Sequence, residues 1–328
     1  MLEHLGVTES HVGAPILSTM EVVERGRSAS GLPLYVDKFA ADADGIILIN
    51  RIKPHTSFRG VVESGLQKMM VIGLGKQKGA DATHALGFGY MSSRLVELSH
   101  VFMARLPFLF GLGVVENAYD KTAKIAAILP ERLQEEEPRL LNQARQWMPQ
   151  ILLHPLDVLV VDEIGKNISG TGMDPNITGR FNNELIKSER TISRIAVLGL
   201  TEESDGNASG LGLADATTTR AQRSIDRVKG YMNALTSTAM PSARLPMVLD
   251  TDRLAIQACI KTSLAPDLNM IRLVRIQNTL RLQHIFISTA LLDEAKEHPD
   301  VEVLGPAVPM SFDGSGSISA CDFKRGAF

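Results

Sequence analysis

The feature that most constrains the fold is a short apolar run that ends in a polar, titratable loop. Residues 44–50 form this run, with aliphatic residues in the middle and turn-forming residues at both ends. Such a run is typical of a strand that is buried on both faces of a parallel sheet. Residues 51–60 follow it and carry proline, histidine and basic side chains. Because ligands bind at the carboxyl ends of strands in open α/β sheets, the sequence predicts a site here.

Apolar strands and helical stretches alternate along the rest of the chain. We expect helices at residues 63–70, 130–148, 215–228 and 252–261, and strands at residues 32–36, 107–116, 122–129, 157–162, 194–200 and 271–276. Aromatic residues make up only 5% of the chain, which suits an aliphatic core. The sequence therefore predicts two α/β domains with mostly parallel sheets and an interdomain cleft. Residues 1–150 would form the cofactor-site domain, and residues 151–328 a second domain that closes the cleft.

The composition argues against several classes of protein. A net charge of −3 provides no broad basic field, so we expect no nucleic-acid partner. The apolar runs are shorter than the roughly 20 residues that span a bilayer, and we expect a cytoplasmic protein without a membrane partner. Two cysteines, Cys259 and Cys321, are too few for a disulfide scaffold or a four-thiolate zinc site. Association into a homo-oligomer stays open.

The densest group of reactive side chains lies in residues 51–90. His55 follows a proline beyond the first strand, where a rigid backbone can position a general base. Lys68 lies in an otherwise apolar helical stretch, where burial can lower the pKa of an amine and make it a nucleophile. His84 lies in a glycine-rich segment and is a candidate contact for a metal or a ligand oxygen. Ordinary solvated side chains would fit the same pattern, so the residue types alone name no reaction.

Three short motifs carry a family resemblance. Arg-Ile-Lys-Pro-His at residues 51–55, Gly-Leu-Gln-Lys at residues 65–68 and the later His84 resemble the core of the nickel-pincer-dependent lactate racemase family. Members of that family interconvert the stereoisomers of small 2-hydroxy acids. The resemblance therefore implies a racemase or epimerase of 2-hydroxy acids that works by proton-coupled hydride transfer.

The resemblance also implies roles for individual residues. Lys68 would be joined covalently to a pyridinium dithiocarboxylate mononucleotide that carries nickel, which cofactor-synthesis proteins would supply. His84 would be the protein ligand to the nickel, and its separation of sixteen residues from Lys68 matches the family. His55 would be one of two catalytic histidines, with Arg59 and Lys76 as further cofactor contacts.

The sequence departs from the family pattern in three places. Leu66 stands where the family has the second glycine of a Gly-Gly-x-Lys run. The spacing from His55 to Lys68 is longer than in the family, and the family's second catalytic histidine is not found in this sequence. Residues 1–6 resemble the end of a helix with no strand before it. We therefore expect the first domain to lack upstream elements, to expose apolar sheet surface near its N-terminus, and to be inactive as a racemase on its own.

The second half offers a polar loop at the end of another strand. Lys166 and Asn167 follow the strand at 157–162, and a lysine there could neutralise a substrate carboxylate. A well hydrogen-bonded loop with no ligand fits the same residues. Two alternative functions also remain: a non-catalytic small-molecule-binding relative of the family, and a hydrolase or lyase that binds a divalent cation through Asp162 and Glu163.

Overall fold

The computed structural model describes residues 6–85, 87–188 and 191–318. Its strands are β1 (Val22–Arg27), β2 (Pro33–Asp37), β3 (Ile46–Arg51), β4 (Phe108–Glu116), β5 (Thr122–Ile128), β6 (Leu156–Val161), β7 (Ile192–Val197), β8 (Ala216–Thr218), β9 (Met247–Leu249), β10 (Leu273–Ile276) and β11 (Phe286–Ile287). Its α-helices are α1 (Glu9–Val12), α2 (Lys38–Ala41), α3 (Leu66–Lys68), α4 (Lys76–His84), α5 (Met91–Arg105), α6 (Leu133–Trp147), α7 (Pro175–Thr178), α8 (Thr219–Arg223), α9 (Arg227–Ser237), α10 (Asp252–Thr262) and α11 (Leu292–Glu297). Except for Gly6, the helix end predicted at the start of the chain lies outside the described residues.

The chain is an α/β protein that divides into two compact units. The first unit contains residues up to Lys53 together with Gly60–Val115 and Ala123–Arg145. The second contains Pro54–Arg59, Glu116–Thr122 and the residues from Gln146 onward. The predicted domain boundary near residue 150 stays a prediction. One consequence for the site is that the short segment that carries His55 belongs to the second unit.

The first unit contains a three-stranded sheet in the order β3, β4, β5, with β3 parallel to β4. One face of the sheet is packed closely. A Cβ atom added to Gly111 would lie 2.5 Å from Leu66 Cδ1, and one added to Gly113 would lie 2.6 Å from Ile52 Cδ1. Glycine at these positions lets the start of α3 approach the strand backbone.

The opposite face of β3 is exposed, which corrects the prediction that this strand is buried on both faces. Ile47 and Ile49 are 49% and 64% exposed, whereas Ile46 and Leu48 are buried. Residues alternate between the two faces of a strand, and the packed helices cover only one of them. The apolar run therefore identified the strand correctly, but it did not reveal how many faces are covered.

This exposed surface extends across the sheet. Ile47 and Ile49 pair with Phe110 and Leu112 of β4, so all four side chains lie on one face. On β5, Lys124 donates to Gln143 of α6 on the packed face, and the next residue, Ile125, is 64% exposed. We call this surface the open apolar face, defined by Ile47, Ile49, Phe110, Leu112 and Ile125. Apolar sheet surface is thus exposed as expected, although it lies on β3, β4 and β5, and its predicted origin in missing upstream elements stays a prediction.

The helical stretch around Lys68 is shorter than predicted. Helix α3 ends at Lys68 and continues as a π-helical turn over Met69–Gly73, after which α4 begins. The side-chain amide of Asn50, at the end of β3, donates to the carbonyl oxygen of Gly65 at 2.9 Å. This bond ties the start of α3 to the carboxyl end of the strand, where the sequence predicts a site.

The second unit contains a six-stranded sheet in the order β11-β10-β6-β7-β8-β9. The strands from β10 to β9 are parallel, and β11 pairs antiparallel with β10. From β6 the chain builds the sheet outward to β9 and then returns to the other side of β6 with β10. The strand order therefore reverses between β6 and β10, and such reversals are where open α/β sheets bind ligands.

Several predicted elements are confirmed within a few residues, including strands β2, β4–β7 and β10 and helices α6 and α10, with Thr251 capping α10 through its bond from Leu254 N. The helix predicted at residues 215–228 is wrong, because the chain there forms β8, α8 and the start of α9. The hydroxyl of Thr218 accepts from Ala221 N to begin α8, and Asp226 caps α9. Two N-caps in nine residues leave no room for one continuous helix.

Strand β1 was not predicted. It pairs antiparallel with β2, but its sequence contains three charged residues among six. A strand in which half of the residues are charged shows little apolar alternation, which is the signal on which strand prediction rests.

Candidate functional site

Lys68 ends α3, and its side chain is half-buried. Burial, with a smaller contribution from the charge of Lys53, lowers the pKa of Lys68 to about 8. The amine makes no hydrogen bond or ion pair with the described residues. Because no neighbouring carboxylate stabilises the charged form there, much of the amine is free base at mildly alkaline pH, and the free base is the nucleophilic form.

We expect Lys68 to react with a small acylating reagent at an unusually low pH. The extent of modification, measured by peptide mass spectrometry across a pH series, should reach half its plateau near pH 8, following the pKa of about 8. Lys78, an exposed lysine on α4, provides the comparison within the same sample. Identical pH profiles for the two lysines would contradict the buried-amine environment.

His84 is the last residue of α4, and one ring nitrogen is buried without a partner. Its Nδ1 has no hydrogen-bond partner among the described residues, and its ring packs edge-on against Phe88 at 5.5 Å. Burial lowers the pKa of His84, the charges of Lys68 and Arg94 lower it further, and Asp81 opposes the shift. The imidazole is therefore neutral at pH 7, the form that binds a metal ion.

A buried carboxyl group lies beneath the start of α3. Glu137 on α6 is 1% exposed, and its Oε2 accepts from the backbone N–H of Gln67 at 3.2 Å. Burial raises the pKa of Glu137 to about 7, although the bonds around Gln67 oppose the shift. Gly65 must be a glycine, since a Cβ there would lie 2.0 Å from Glu137 Oε1. Glu137 therefore supports the turn that presents Lys68.

Arg94 on α5 is a second neighbour of the site. It is 3% exposed, and its Nη1 donates to the carbonyl oxygen of Thr83 at 2.5 Å, directly before His84. Its Nη2 is buried and has no partner among the described residues. The guanidinium thus adds positive charge beside His84, and the carboxylate of Glu97 on the same helix balances part of it.

Neither Glu137 nor Arg94 was singled out from the sequence, although a signal exists for both. Each charged residue stands on the apolar stripe of its helix, between residues at helical spacing that are buried. A charge on such a stripe is buried together with the stripe, so it must have a partner or a shifted pKa. The neighbours that define the two stripes are Leu133, Leu140, Leu141 and Ala144 for Glu137, and Met91, Leu95 and Leu98 for Arg94.

Lys76 and Arg59 both have protein partners. Lys76 forms an ion pair with the buried Asp37 at 3.2 Å. Arg59 donates to the carbonyl oxygen of His55 at 2.6 Å and to the side chain of Asn176, and it lies over the ring of Phe181. Their predicted contacts with a cofactor stay predictions.

His55 is held in a defined tautomer within the second unit. Its Nδ1 accepts from the backbone N–H of Ser57 at 3.0 Å, and its ring packs against Phe58 with centroids 4.3 Å apart. An accepting Nδ1 carries no proton, so the neutral ring carries its proton on Nε2. Nε2 is therefore a donor in this arrangement, and a proton-accepting role there requires the opposite tautomer.

Lys166 and Asn167 lie beyond β6, at the strand-order reversal of the second sheet. Lys166 Nζ donates to Gly170 O at 2.6 Å and to Asn233 Oδ1 at 3.0 Å, and burial lowers the pKa of Lys166. Asn167 accepts from Thr201 Oγ1 at 2.7 Å. Two acceptors leave one of the three ammonium protons of Lys166 for a further contact.

The two carboxylates considered for a divalent cation already have partners. Arg275 donates to both oxygens of Asp162, at 2.8 and 2.9 Å, and Asn278 donates to Glu163 at 2.9 Å. Burial raises the pKa of Asp162, against the opposing effect of Arg275. Within residues 6–85, 87–188 and 191–318, no group of three or more His, Cys, Asp or Glu side chains is arranged to hold a metal ion.

Comparisons with known proteins leave the family open. No protein-family model matches the sequence, and no curated protein resembles it significantly. Among solved structures, the lactate racemase apoprotein from Thermoanaerobacterium thermosaccharolyticum is similar over 86% of this chain and 74% of that chain. The TM-score is 0.49 and the sequence identity is 12%, which is too low to show a shared family or activity. In the described part of the chain, every helix is too short or too polar to cross a membrane.

Proposed function

We propose that this chain is a racemase or epimerase of small 2-hydroxy acids, in which Lys68 and His84 hold a nickel-pincer nucleotide. The observation that carries the proposal is that a half-buried amine and a buried imidazole nitrogen in the same unit lack partners among the described residues. The charge of Lys68 acts on His84, and neither Lys68 Nζ nor His84 Nδ1 has a hydrogen-bond partner among the described residues. A buried polar atom without a partner costs about 1–3 kcal/mol, so a ligand that supplies a partner to His84 Nδ1 would remove that cost.

The two side chains fit the chemistry of this group. Attachment through a thioamide needs an uncharged amine, and the pKa of about 8 at Lys68 provides one. Coordination of nickel needs a neutral imidazole, and the lowered pKa of His84 favours that form. When bound, the group would supply the chemistry of a hydride acceptor.

The proposed roles of the remaining residues follow from their atoms. His55 would donate a hydrogen bond from Nε2 to a substrate oxygen. Taking the hydroxyl proton at Nε2 would require Nδ1 to gain a proton and the bond from Ser57 to break. Lys166 would neutralise the substrate carboxylate with its third ammonium proton, and Asn167 would hold the same loop through Thr201. The protein would act in the cytoplasm, and cofactor-synthesis proteins would attach the nucleotide to Lys68.

Two other functions can be weighed against this one. A cation-dependent hydrolase or lyase is disfavoured, since Asp162 would have to exchange its two bonds from Arg275 for a cation. A non-catalytic binding relative would share the fold but would not carry the covalent group. Measuring the mass of the protein therefore distinguishes a non-catalytic binding relative from a racemase.

We expect intact mass spectrometry to show an adduct of several hundred daltons when the chain is co-expressed with the cofactor-synthesis proteins. Nickel should accompany the adduct in about a one-to-one ratio, since one mononucleotide carries one metal ion. The chain expressed without those proteins is the control and should have its unmodified mass. An unmodified mass in both preparations would remove the proposed function.

A further inference from the structure

Helix α9 in the second unit carries an apolar stripe that faces solvent. Its members recur at positions i, i+3, i+4 and i+7, which share one face of a helix. Each side chain in it is between 51% and 71% exposed. We call this surface the α9 stripe, and it consists of Val228, Tyr231, Met232 and Leu235.

The inner face of α9 carries small residues instead. The buried residues of the helix are Gly230 and Ala234. A surface helix usually turns its large apolar side chains towards the core and its polar side chains towards water. In α9 this order is reversed, so the stripe loses hydrophobic stabilisation that contact with another apolar surface would recover.

The exposed apolar surface extends beyond the helix. Tyr231 lines a shallow depression together with Leu245, which is also exposed. With Leu245, the α9 stripe presents about 550 Å² of side-chain surface, so two copies would bury about 1,100 Å², slightly more than the roughly 1,000 Å² expected of a specific interface. The area is therefore sufficient for a second copy of this chain.

The α9 stripe is complementary to itself when two α9 helices pack antiparallel. Around a two-fold axis between Tyr231 and Met232, Val228 meets the partner's Leu235 and Tyr231 meets the partner's Met232. A thioether beside an aromatic ring is a favourable contact. The same patch on both copies thus forms a closed, two-fold symmetric interface, the commonest kind in homo-oligomers.

The charges at the ends of α9 favour the same orientation. Arg227 is the first residue of the helix, at the positive end of its dipole, and its guanidinium makes no ion pair with the part of the chain that the structure describes. The last turn of α9 carries no basic side chain to offset the negative end of the dipole. An antiparallel pair places Arg227 beside the last turn of the partner helix, where a cation is stabilising.

We infer that this chain forms a two-fold symmetric dimer in which the α9 stripes of two copies pack antiparallel. The stripe supplies the apolar area, and Arg227 of each copy supplies a favourable charge at the end of the other helix. The inference does not depend on the proposed racemase.

Sedimentation velocity of the full chain over a concentration series measures dimerisation. We expect the wild type to dimerise and L235E to raise the dissociation constant more than tenfold, because a carboxylate would be buried in an apolar interface. I125E is the matched control, since Ile125 is similarly exposed but lies on the open apolar face, and it should dimerise as the wild type does. R227E should weaken the dimer severalfold by bringing a negative charge to the partner's last helical turn. R223E, at an exposed arginine of α8, should not.

Disulfide trapping tests the orientation of the two helices. The background is C321S, which leaves only the buried thiol of Cys259. On oxidation, V228C/L235C should form a covalent dimer, because the two positions face each other across the axis. V228C alone should not, since an antiparallel pair places it about 10 Å along the helix from its own copy, beyond the reach of a disulfide.

Four results would each overturn the inference. They are a wild type that stays monomeric at every concentration, a folded L235E that dimerises as the wild type does, loss of the dimer in I125E, and trapping of V228C as efficient as that of V228C/L235C. Circular dichroism and the melting temperature of each variant show that it is folded.

Discussion

Replacing Lys68 with arginine is expected to abolish the covalent adduct completely. Arginine retains the positive charge and most of the side-chain length, but its guanidinium is not deprotonated in proteins and cannot attack an activated carboxyl group. The measurement is intact mass after co-expression with the cofactor-synthesis proteins. K78R is the matched control, because Lys78 is an exposed lysine ten residues further along the chain, and this variant should carry the full adduct. An adduct on K68R would assign the attachment to a different residue.

Replacing His84 with alanine should separate the two functions of the site. The amine of Lys68 remains, so the adduct should persist, whereas the nickel content should fall severalfold because the metal loses its protein ligand. Mass spectrometry and metal analysis on the same sample distinguish these outcomes. Nickel content equal to that of the wild type would exclude His84 from the site.

Replacing Glu137 with glutamine is expected to remove a pH-dependent loss of stability. In the folded chain the pKa of Glu137 is raised from 4.5 to about 7. Between these two values the folded state keeps the proton that the unfolded state has released. The stabilisation is therefore complete below pH 4.5 and is lost as the pH rises towards 7, by up to about 3 kcal/mol in the free energy of unfolding.

Urea unfolding of the wild type and of E137Q at several pH values between 4.5 and 8 measures this difference. The free energy of unfolding of E137Q should fall less steeply with rising pH than that of the wild type, because the contribution of Glu137 is missing. E131Q, at an exposed glutamate next to the same helix, controls for the loss of one negative charge and should retain the wild-type slope. Parallel pH profiles for the wild type and E137Q would mean that Glu137 is already ionised in the folded chain.

The sequence predicts those elements whose signals are local. The helix over α6 and the N-cap Thr251 of α10 depend on spacing and capping within a few residues, and both are confirmed. The number of covered faces of β3 depends on which helices pack against the sheet, which no local pattern records. The single helix predicted over residues 215–228 was wrong because the caps at Thr218 and Asp226 outweigh the helical spacing.

The residues of the candidate site also differ in whether a local sequence signal predicts them. Lys68 and His84 were chosen from the sequence because reactive side chains stand out in apolar or glycine-rich surroundings. Glu137 is 70 residues from Gln67, the residue that it supports, and only the packing of α6 against α3 brings the two together.

The open apolar face has a consequence for how the site is reached. A sheet that keeps Ile47, Ile49 and Ile125 hydrated gains less from the hydrophobic effect than one covered on both sides. It also contributes less to the heat capacity of unfolding. Such a region opens at a lower free energy than one whose strands are buried on both faces, as in the centre of the second sheet. Lys68 and His84 lie in the unit that contains this sheet, so we expect sub-global opening of this unit to expose both side chains more fully at a lower free energy than global unfolding requires.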